Sequence, residues 1–186
     1  MKTSYVLLFC LFALLNSGCK KCETTTHYDF PAATELYFGM YKMGNWWVYE
    51  NQDGTKKDSI YLTWEDNTNN LNNGRDVCVT WNNRECTLKN NYLYANKSNA
   101  NIAYTNPYNA KYDIMETSVS LFDGNTSEVL ATHSKNSLYQ CTILPVYLIY
   151  NNVLKTNHRR YFAPNIGLIG WETTTDTFTL KKHYIQ

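Results

Sequence analysis

The strongest constraint on the fold is a strand-and-turn pattern that runs from Leu36 onward. Short groups of Tyr, Trp, Val, Ile and Thr alternate with groups rich in Asn and Gly, a composition typical of strands joined by turns. After the N-terminal apolar run, no segment has the periodicity of an amphipathic helix of ten residues or more. The sequence therefore predicts a mostly β fold, namely a single antiparallel β-sandwich, half-barrel or barrel-like domain.

The clearest local prediction is a hairpin. Residues 46–51 alternate between two faces, Asp53-Gly54 is a favoured turn, and residues 59–65 form the returning strand. Trp46 and Trp47 are adjacent, so they point to opposite faces of any strand they share. At least one of them therefore leaves the main core, and we treat both as candidate ligand-facing aromatics, although aromatic side chains also fill strand cores well.

Other segments give less certain predictions. Residues 67–74 contain five asparagines and predict a loop, residues 128–132 are compatible with a helical turn, and Pro145 predicts a bulge or an edge position. A turn is expected at Pro164-Asn165. The remaining predicted strands are 75–81, 84–88, 111–122, 138–144, 146–153, 159–162 and 175–185.

Cysteine spacing suggests one disulfide. Cys78 and Cys86 flank Asn82-Asn83, and a turn there would make them face each other across a hairpin. A bridge between them is one interpretation, and small buried thiols are the other. With Cys22 and Cys141 the chain beyond Cys19 holds four cysteines, which allow three pairings that the sequence does not distinguish.

The N-terminus has the pattern of an export signal. Lys2 precedes an unbroken apolar run over residues 5–15, and Asn16-Ser17-Gly18 leads into Cys19. A run of this length is too short to span a bilayer, which needs about 20 residues, but it suits the core of a secretory signal. The small residues before Cys19 predict cleavage there and lipidation of the Cys19 thiol.

Two alternatives remain for this segment. It could be an ordinary signal peptide that leaves Cys19 as a plain thiol, or Cys19 and Cys22 could form a Cys-x-x-Cys redox or zinc motif. The lipoprotein interpretation divides the chain into a signal peptide (1–18), a lipidated cysteine with a tether (19–34) and a β-rich domain (35–186). Two or three acyl chains at Cys19 would hold the protein durably on a membrane.

Charge and motif content exclude several function classes. Removing Lys2 with the signal leaves equal numbers of basic and acidic side chains, which argues against nucleic-acid binding. The four histidines are scattered, and there is no phosphate loop or nucleophile elbow. We therefore predict no metal, no cofactor and no catalytic residue.

One catalytic alternative stays open. A carbohydrate-active hydrolase needs only two carboxyl groups across a cleft. The candidate pairs in the sequence are Glu65 with Asp66, Asp113 with Glu116, and Glu172 with Asp176. Solvated surface acids are the plainer interpretation of all three pairs.

Two segments resemble known proteins. Residues 36–50 (LYFGMYKMGNWWVYE) and residues 160–169 (RYFAPNIGLI) resemble the opening and closing motifs of small uncharacterised lipoproteins of Bacteroidota-type bacteria. The resemblance implies a lipid-anchored envelope protein without an assigned activity. In such lipoproteins an acidic run after the cysteine accompanies surface export; Lys20-Lys21 is the opposite and implies the periplasmic face of the outer membrane.

These observations lead to a functional expectation. An aromatic-rich β domain without a reactive cluster favours a non-catalytic binding module that engages an envelope protein or an apolar ligand. Gly44-Asn45-Trp46 is also similar to the Gly-x-Trp opening of lipocalins, and a lipocalin-like lipid carrier is a further alternative. Gly44 and Gly167 are expected at turns that need a positive φ or a close backbone approach.

Overall fold

The protein is described by a computed structural model. Cys19, with the predicted signal, lies outside the described residues. The described residues are 25–28, 30–73, 78–90, 93, 99–105, 108–109, 114–115, 117–122, 127–134 and 137–186.

Strands dominate these residues, and one short helix, α1 (Ala32–Phe38), precedes most of them. The strands are β1 (Thr25–Tyr28), β2 (Trp46–Asn51), β3 (Lys57–Asn73), β4 (Cys78–Lys89), β5 (Asn99–Thr105), β6 (Tyr108–Asn109), β7 (Ile114–Met115), β8 (Thr117–Phe122), β9 (Ser127–Ser134), β10 (Ser137–Tyr139), β11 (Cys141–Tyr147), β12 (Tyr150–Thr156), β13 (Arg160–Ala163), β14 (Gly167–Glu172) and β15 (Thr177–Tyr184).

The described strands, apart from the small β6–β7 pair, form one antiparallel sheet in the order β10-β9-β8-β5-β4-β3-β2-β15-β14-β13-β12-β11, to which β1 adds in parallel beside β4. The sheet curves into a half-barrel, which confirms the predicted fold class. The two edge strands, β10 and β11, are consecutive in the chain and are joined by Gln140 alone. The curvature therefore brings the two edges of the sheet together at that residue.

The core lies on the concave face. Trp47 and Tyr49 of β2 and Ile60 of β3 are fully buried there. The helix α1 packs on the same face, where the Phe38 and Phe162 ring centroids lie 4.9 Å apart. These side chains belong to a cluster that also takes in Leu88, Leu121, Leu130, Leu154 and Trp171.

A smaller apolar cluster lies around the β12–β14 strands. It consists of Val153, Tyr161, Ala163 and Ile169, and partly buried Leu144, Tyr147 and Tyr150 pack against it. Residues 153 and 154 are both fully buried, although they point to opposite faces of β12. This part of the sheet is therefore covered on both sides.

A buried ion pair joins distant parts of the sheet. Arg160 Nη2 of β13 lies 3.3 Å from Glu128 Oε2 of β9, and both side chains are at most one-tenth exposed. His158 Nδ1 lies 3.5 Å from the other carboxylate oxygen of Glu128. The pair links a strand near one edge of the sheet to a strand near the other.

Several local predictions are wrong. Part of the predicted tether is folded, since residues 25–28 form β1 and the helix begins at Ala32. The asparagine-rich segment is no loop: residues 67–73 continue β3, because they pair with β4 over their whole length. Residues 128–132 lie in β9 rather than in a helical turn. In each case main-chain pairing outweighs a weak local preference.

The hairpin expected at Asn82-Asn83 is also wrong. Cys78 and Cys86 both lie in β4, which runs through Asn82-Asn83 without a turn. Eight residues of extended strand span about 26 Å, whereas the Cα atoms of a disulfide lie roughly 4.4–6.8 Å apart. A Cys78–Cys86 bridge is therefore incompatible with this strand. Cys141 is a half-buried free thiol, and burial raises its pKa.

The prediction for Pro145 is confirmed, and the prediction for the strand after it is wrong. Pro145 lies in β11, which is an edge strand as predicted. The expected strand over residues 146–153 is wrong, because Tyr147 pairs with Tyr150 across a two-residue turn formed by Leu148 and Ile149. The predicted hairpin around Asp53-Gly54, the turn at Pro164-Asn165 and the last strand are all confirmed.

Candidate functional site

The two segments that resemble lipoprotein motifs contact each other. Trp47 Nε1 donates a hydrogen bond to the Ile166 carbonyl at 2.7 Å, and the Tyr49 hydroxyl donates to the Leu168 carbonyl at 2.7 Å. The main-chain nitrogen of Asn165 donates to the Leu36 carbonyl at 2.8 Å. These residues hold β2 and α1 against the β13–β14 turn, so the contacts of both motifs are architectural.

Trp46 and Trp47 point to opposite faces, as predicted. Trp47 is fully buried, with its indole N–H satisfied by Ile166, so the prediction that its side chain faces a ligand is wrong. Trp46 points outward and is 39% exposed. Of the two tryptophans, Trp46 alone can present its ring to a ligand.

Trp46 belongs to a row of exposed aromatic rings on the outer face of the sheet. We call Tyr184, Trp46 and Tyr61 the aromatic row. They lie directly opposite one another on β15, β2 and β3, and Tyr184 and Tyr61 are 48% and 41% exposed. The Trp46 and Tyr184 ring centroids are 6.3 Å apart with an interplanar angle of 20°. The row therefore places three exposed aromatic rings on three neighbouring strands, and two of them are stacked.

An open cavity of about 470 Å³ lies beside the aromatic row. Trp46, Tyr61, Val48 and Ser59 line it from the outer face, and Gly44 lies at one end. Trp47, Ile60 and Leu62 also line it, but their side chains are buried in the core, so they contribute chiefly main chain. The volume is within the range of small-molecule sites, and a few polar groups, here the Ser59 and Tyr61 hydroxyls and Asn45, among apolar ones are the usual kind of lining.

The charges on the strands that carry the row are mainly positive, and they surround Glu50, about 13 Å along β2 from Trp46. Lys57 Nζ lies 3.0 Å from Glu50 Oε1, and this hydrogen bond holds the pKa of Glu50 below its ordinary value, with Lys181 and Lys182 acting in the same direction. Three lysines thus surround one carboxylate on these strands. A ligand with an apolar ring and a negative group would find complementary chemistry there.

Comparison of the chain with known proteins gives no relative. No protein-family model, no curated protein and no solved structure matches it. The site must therefore be interpreted from its own geometry.

Of the carboxylates proposed for a hydrolase, Glu172 and Asp176 are described, and both are engaged in hydrogen bonds and ion pairs. Glu172 accepts a hydrogen bond from the Tyr161 hydroxyl and pairs with Arg159. Hydrogen bonds from Lys56, Asn51 and Thr175 lower the pKa of Asp176 to about 2. A glycosidase acid needs a raised pKa, so Asp176 does not fit that role. Asp113 and Glu116, and the side chains of Glu65 and Asp66, lie outside the described part of the structure.

Two further observations concern the described part of the chain as a whole. No three His, Cys, Asp or Glu side chains come together there as a metal site would require. None of its helical structure has the length and hydropathy of a membrane-spanning segment.

Of the aromatic row, the sequence predicted Trp46 as a ligand-facing residue but neither Tyr61 nor Tyr184. Tyr61 had a usable signal: a hairpin centred on Asp53-Gly54 places residue 61 opposite residue 46, as observed. Tyr184 had none, because its partner strand is 138 positions away in the chain. Lipidation at Cys19 stays a prediction, since that residue is outside the described part.

Proposed function

We propose that this protein is a membrane-anchored, non-catalytic lipoprotein of the bacterial envelope. It acts as a binding module for an envelope partner or an apolar ligand. The exposed aromatic row beside its cavity carries the proposal. The export-signal pattern before Cys19 supports the anchor, and Lys20-Lys21 supports a position on the periplasmic face of the outer membrane.

The geometry favours an outer-face site over an internal one. The concave side of the half-barrel is occupied by buried side chains such as Trp47, Phe38 and Trp171, whereas a lipocalin-like carrier holds its ligand inside the barrel. Exposed aromatic rings aligned on neighbouring strands suit a flat apolar group, because stacking contributes about 0.5–1.5 kcal/mol per pair beyond area burial. The ligand therefore lies on Trp46 and extends toward Tyr61 or Tyr184.

Replacing Trp46 by alanine is expected to weaken binding of a flat aromatic probe about tenfold. Anilinonaphthalene sulfonate is a suitable probe, because its rings can stack on Trp46 and its sulfonate can approach the lysines near Glu50. Loss of one large aromatic contact removes roughly 1.4 kcal/mol or more, which corresponds to that factor. The measurement is a fluorescence titration of the purified chain.

Tyr139→Ala is the matched control. Tyr139 is 50% exposed on β10, away from the row in the order of the sheet, and its removal should leave the titration unchanged. Equal probe affinity in the Trp46→Ala variant and the parent would rule out the aromatic row as the binding surface.

The anchor is tested separately in cells. Cells that express the protein are grown with radioactive palmitate, and the Cys19→Ser variant is compared with the parent. We expect label in the parent and none in the variant, because the thiol is the acyl acceptor. Equal label in both proteins would contradict lipidation at Cys19 while leaving the aromatic-row test unaffected.

A further inference from the structure

The β11–β12 hairpin ends in an apolar tip, which we define as Val146, Leu148 and Ile149. These side chains are 67%, 62% and 87% exposed. No charged side chain occurs anywhere from residue 136 to residue 154. A group of exposed apolar side chains marks a surface that contacts another molecule or a membrane.

The local geometry of the tip works against its stability in water. Leu148 occupies the first position of the two-residue turn with φ at +54°. Glycine, asparagine and aspartate are the usual residues in such turns, and a branched apolar side chain with positive φ is strained. Leu148 and Ile149 therefore do not favour this turn. Backbone strain of this kind is commonly found at functional sites.

The base of the tip is rigid. Tyr147 stacks on Tyr161 with ring centroids 4.3 Å apart and an interplanar angle of 8°. Tyr147, Tyr150 and Leu144 pack against the smaller apolar cluster. The hairpin therefore presents two tyrosines immediately behind three exposed apolar side chains, and tyrosine is enriched at the boundary between a bilayer and water.

The tip lies at the end of the half-barrel that the N-terminal helix also reaches. Leu154 pairs with Phe162, so β12 runs from there past the β13–β14 turn toward Ile149. The Tyr37 hydroxyl of α1 donates a hydrogen bond to the Asn152 carbonyl at 2.6 Å. Because residues 25–28 are held in β1 beside β4, the segment that joins Cys19 to the fold is the six-residue step to Thr25, which spans at most about 20 Å. Acyl chains on Cys19 would therefore keep the domain close to the bilayer, within reach of an apolar tip.

A second copy of the chain is a weaker candidate for the tip's partner. Pro145 interrupts the edge strand β11, and proline lacks the N–H that strand addition requires. Pairing between edge strands of two copies is thereby disfavoured. A hairpin tip can also enter the apolar interior of a lipid bilayer, which adapts to its shape.

We propose that the apolar tip inserts into the phospholipid surface that holds the anchor. The inference rests on the membrane attachment in the proposed function. Together, the tip and the acyl chains would fix the orientation of the domain on the membrane. Because the tip carries no cation, its insertion needs no anionic lipid, unlike an attraction through Lys20-Lys21.

Vesicle binding without the acyl chains tests this inference. The chain from residue 19 onward, which includes every described residue, is prepared with Cys19→Ser and sedimented with vesicles of phosphatidylcholine alone. We expect this chain to bind the vesicles. The double substitution Leu148→Asn and Ile149→Asn should lower its partition coefficient about tenfold or more. The Tyr139→Asn variant is the exposed-aromatic control and should bind like the parent.

Stability measurements separate insertion from folding. Asparagine tolerates positive φ, so Leu148→Asn should leave the melting temperature unchanged or raise it while it weakens vesicle binding. Failure of the parent to bind phosphatidylcholine, or equal binding by the doubly substituted chain, would overturn the proposal. So would binding that appears only with anionic vesicles, or a dimer that the two substitutions dissociate. Palmitate labelling at Cys19 is scored independently of all these outcomes.

Discussion

Replacing Arg160 by methionine is expected to lower the free energy of unfolding by about 3–5 kcal/mol. The guanidinium and the Glu128 carboxylate are both buried and lie 3.3 Å apart. The substitution removes the guanidinium from the Glu128 carboxylate, which is 8% exposed and also has His158 Nδ1 at 3.5 Å. Urea unfolding followed by circular dichroism measures the loss, as a lower midpoint at constant slope.

Removing both charges provides the control. The chain with Arg160→Met and Glu128→Gln no longer buries a carboxylate that has lost its guanidinium, so most of the lost stability should return, because replacement of a whole buried pair is often nearly neutral. An Arg160→Met variant that unfolds within about 1 kcal/mol of the parent would show that the pair is solvated.

Replacing Gly167 by alanine should lower the free energy of unfolding by about 2–5 kcal/mol. Gly167 has φ +85°, and a Cβ atom there would lie 2.9 Å from both Met40 Sδ and the Tyr41 hydroxyl oxygen. The positive φ costs roughly 1–2 kcal/mol, and overpacking costs about 1–3 kcal/mol more. Movement of Tyr41 would also disturb the hydrogen bond that its hydroxyl accepts from Leu168 N.

Gly54→Ala isolates the backbone contribution. Gly54 has a similar φ of +73°, but no atom lies within 4 Å of the position of a Cβ. It should therefore show only the strain of roughly 1–2 kcal/mol. If both variants lose the same stability, the close approach of Met40 and Tyr41 to Gly167 contributes nothing, contrary to our expectation.

The correctly predicted parts of the fold are those that depend on residues close together in the sequence. Asp53-Gly54 defines a turn, and the alternation in β2 then decides which side chains face inward. The alternation predicted that Trp46 and Trp47 point to opposite faces, and the structure shows that Trp47 is the buried one. Gly44 and Gly167 likewise have the positive φ expected of them.

The wrong predictions share a physical cause, since in each the tertiary structure outweighs local preference. Asn69 and Asn72 lie in β3 because β4 pairs with them, and Asn82 lies in mid-strand for the same reason. At the opposite extreme, Leu148 and Ile149 form a tight turn without any of the residues that favour one.

The candidate site was predictable only in part. Residue 61 follows from the register of a short hairpin, but the position of Tyr184 depends on pairing between β2 and β15. The apolar tip was not predicted either. In the sequence, Leu148 and Ile149 lie within an apolar segment that is typical of a core strand.

The pairing of β2 with β15 has a consequence for how the chain acquires its structure. Phe178 lies opposite Asn51 in the middle of the sheet, so the centre of the domain cannot close until almost the whole chain is available. Such high contact order is associated with folding over milliseconds to seconds. We therefore expect the central strands to complete their pairing only after β15 has been synthesised.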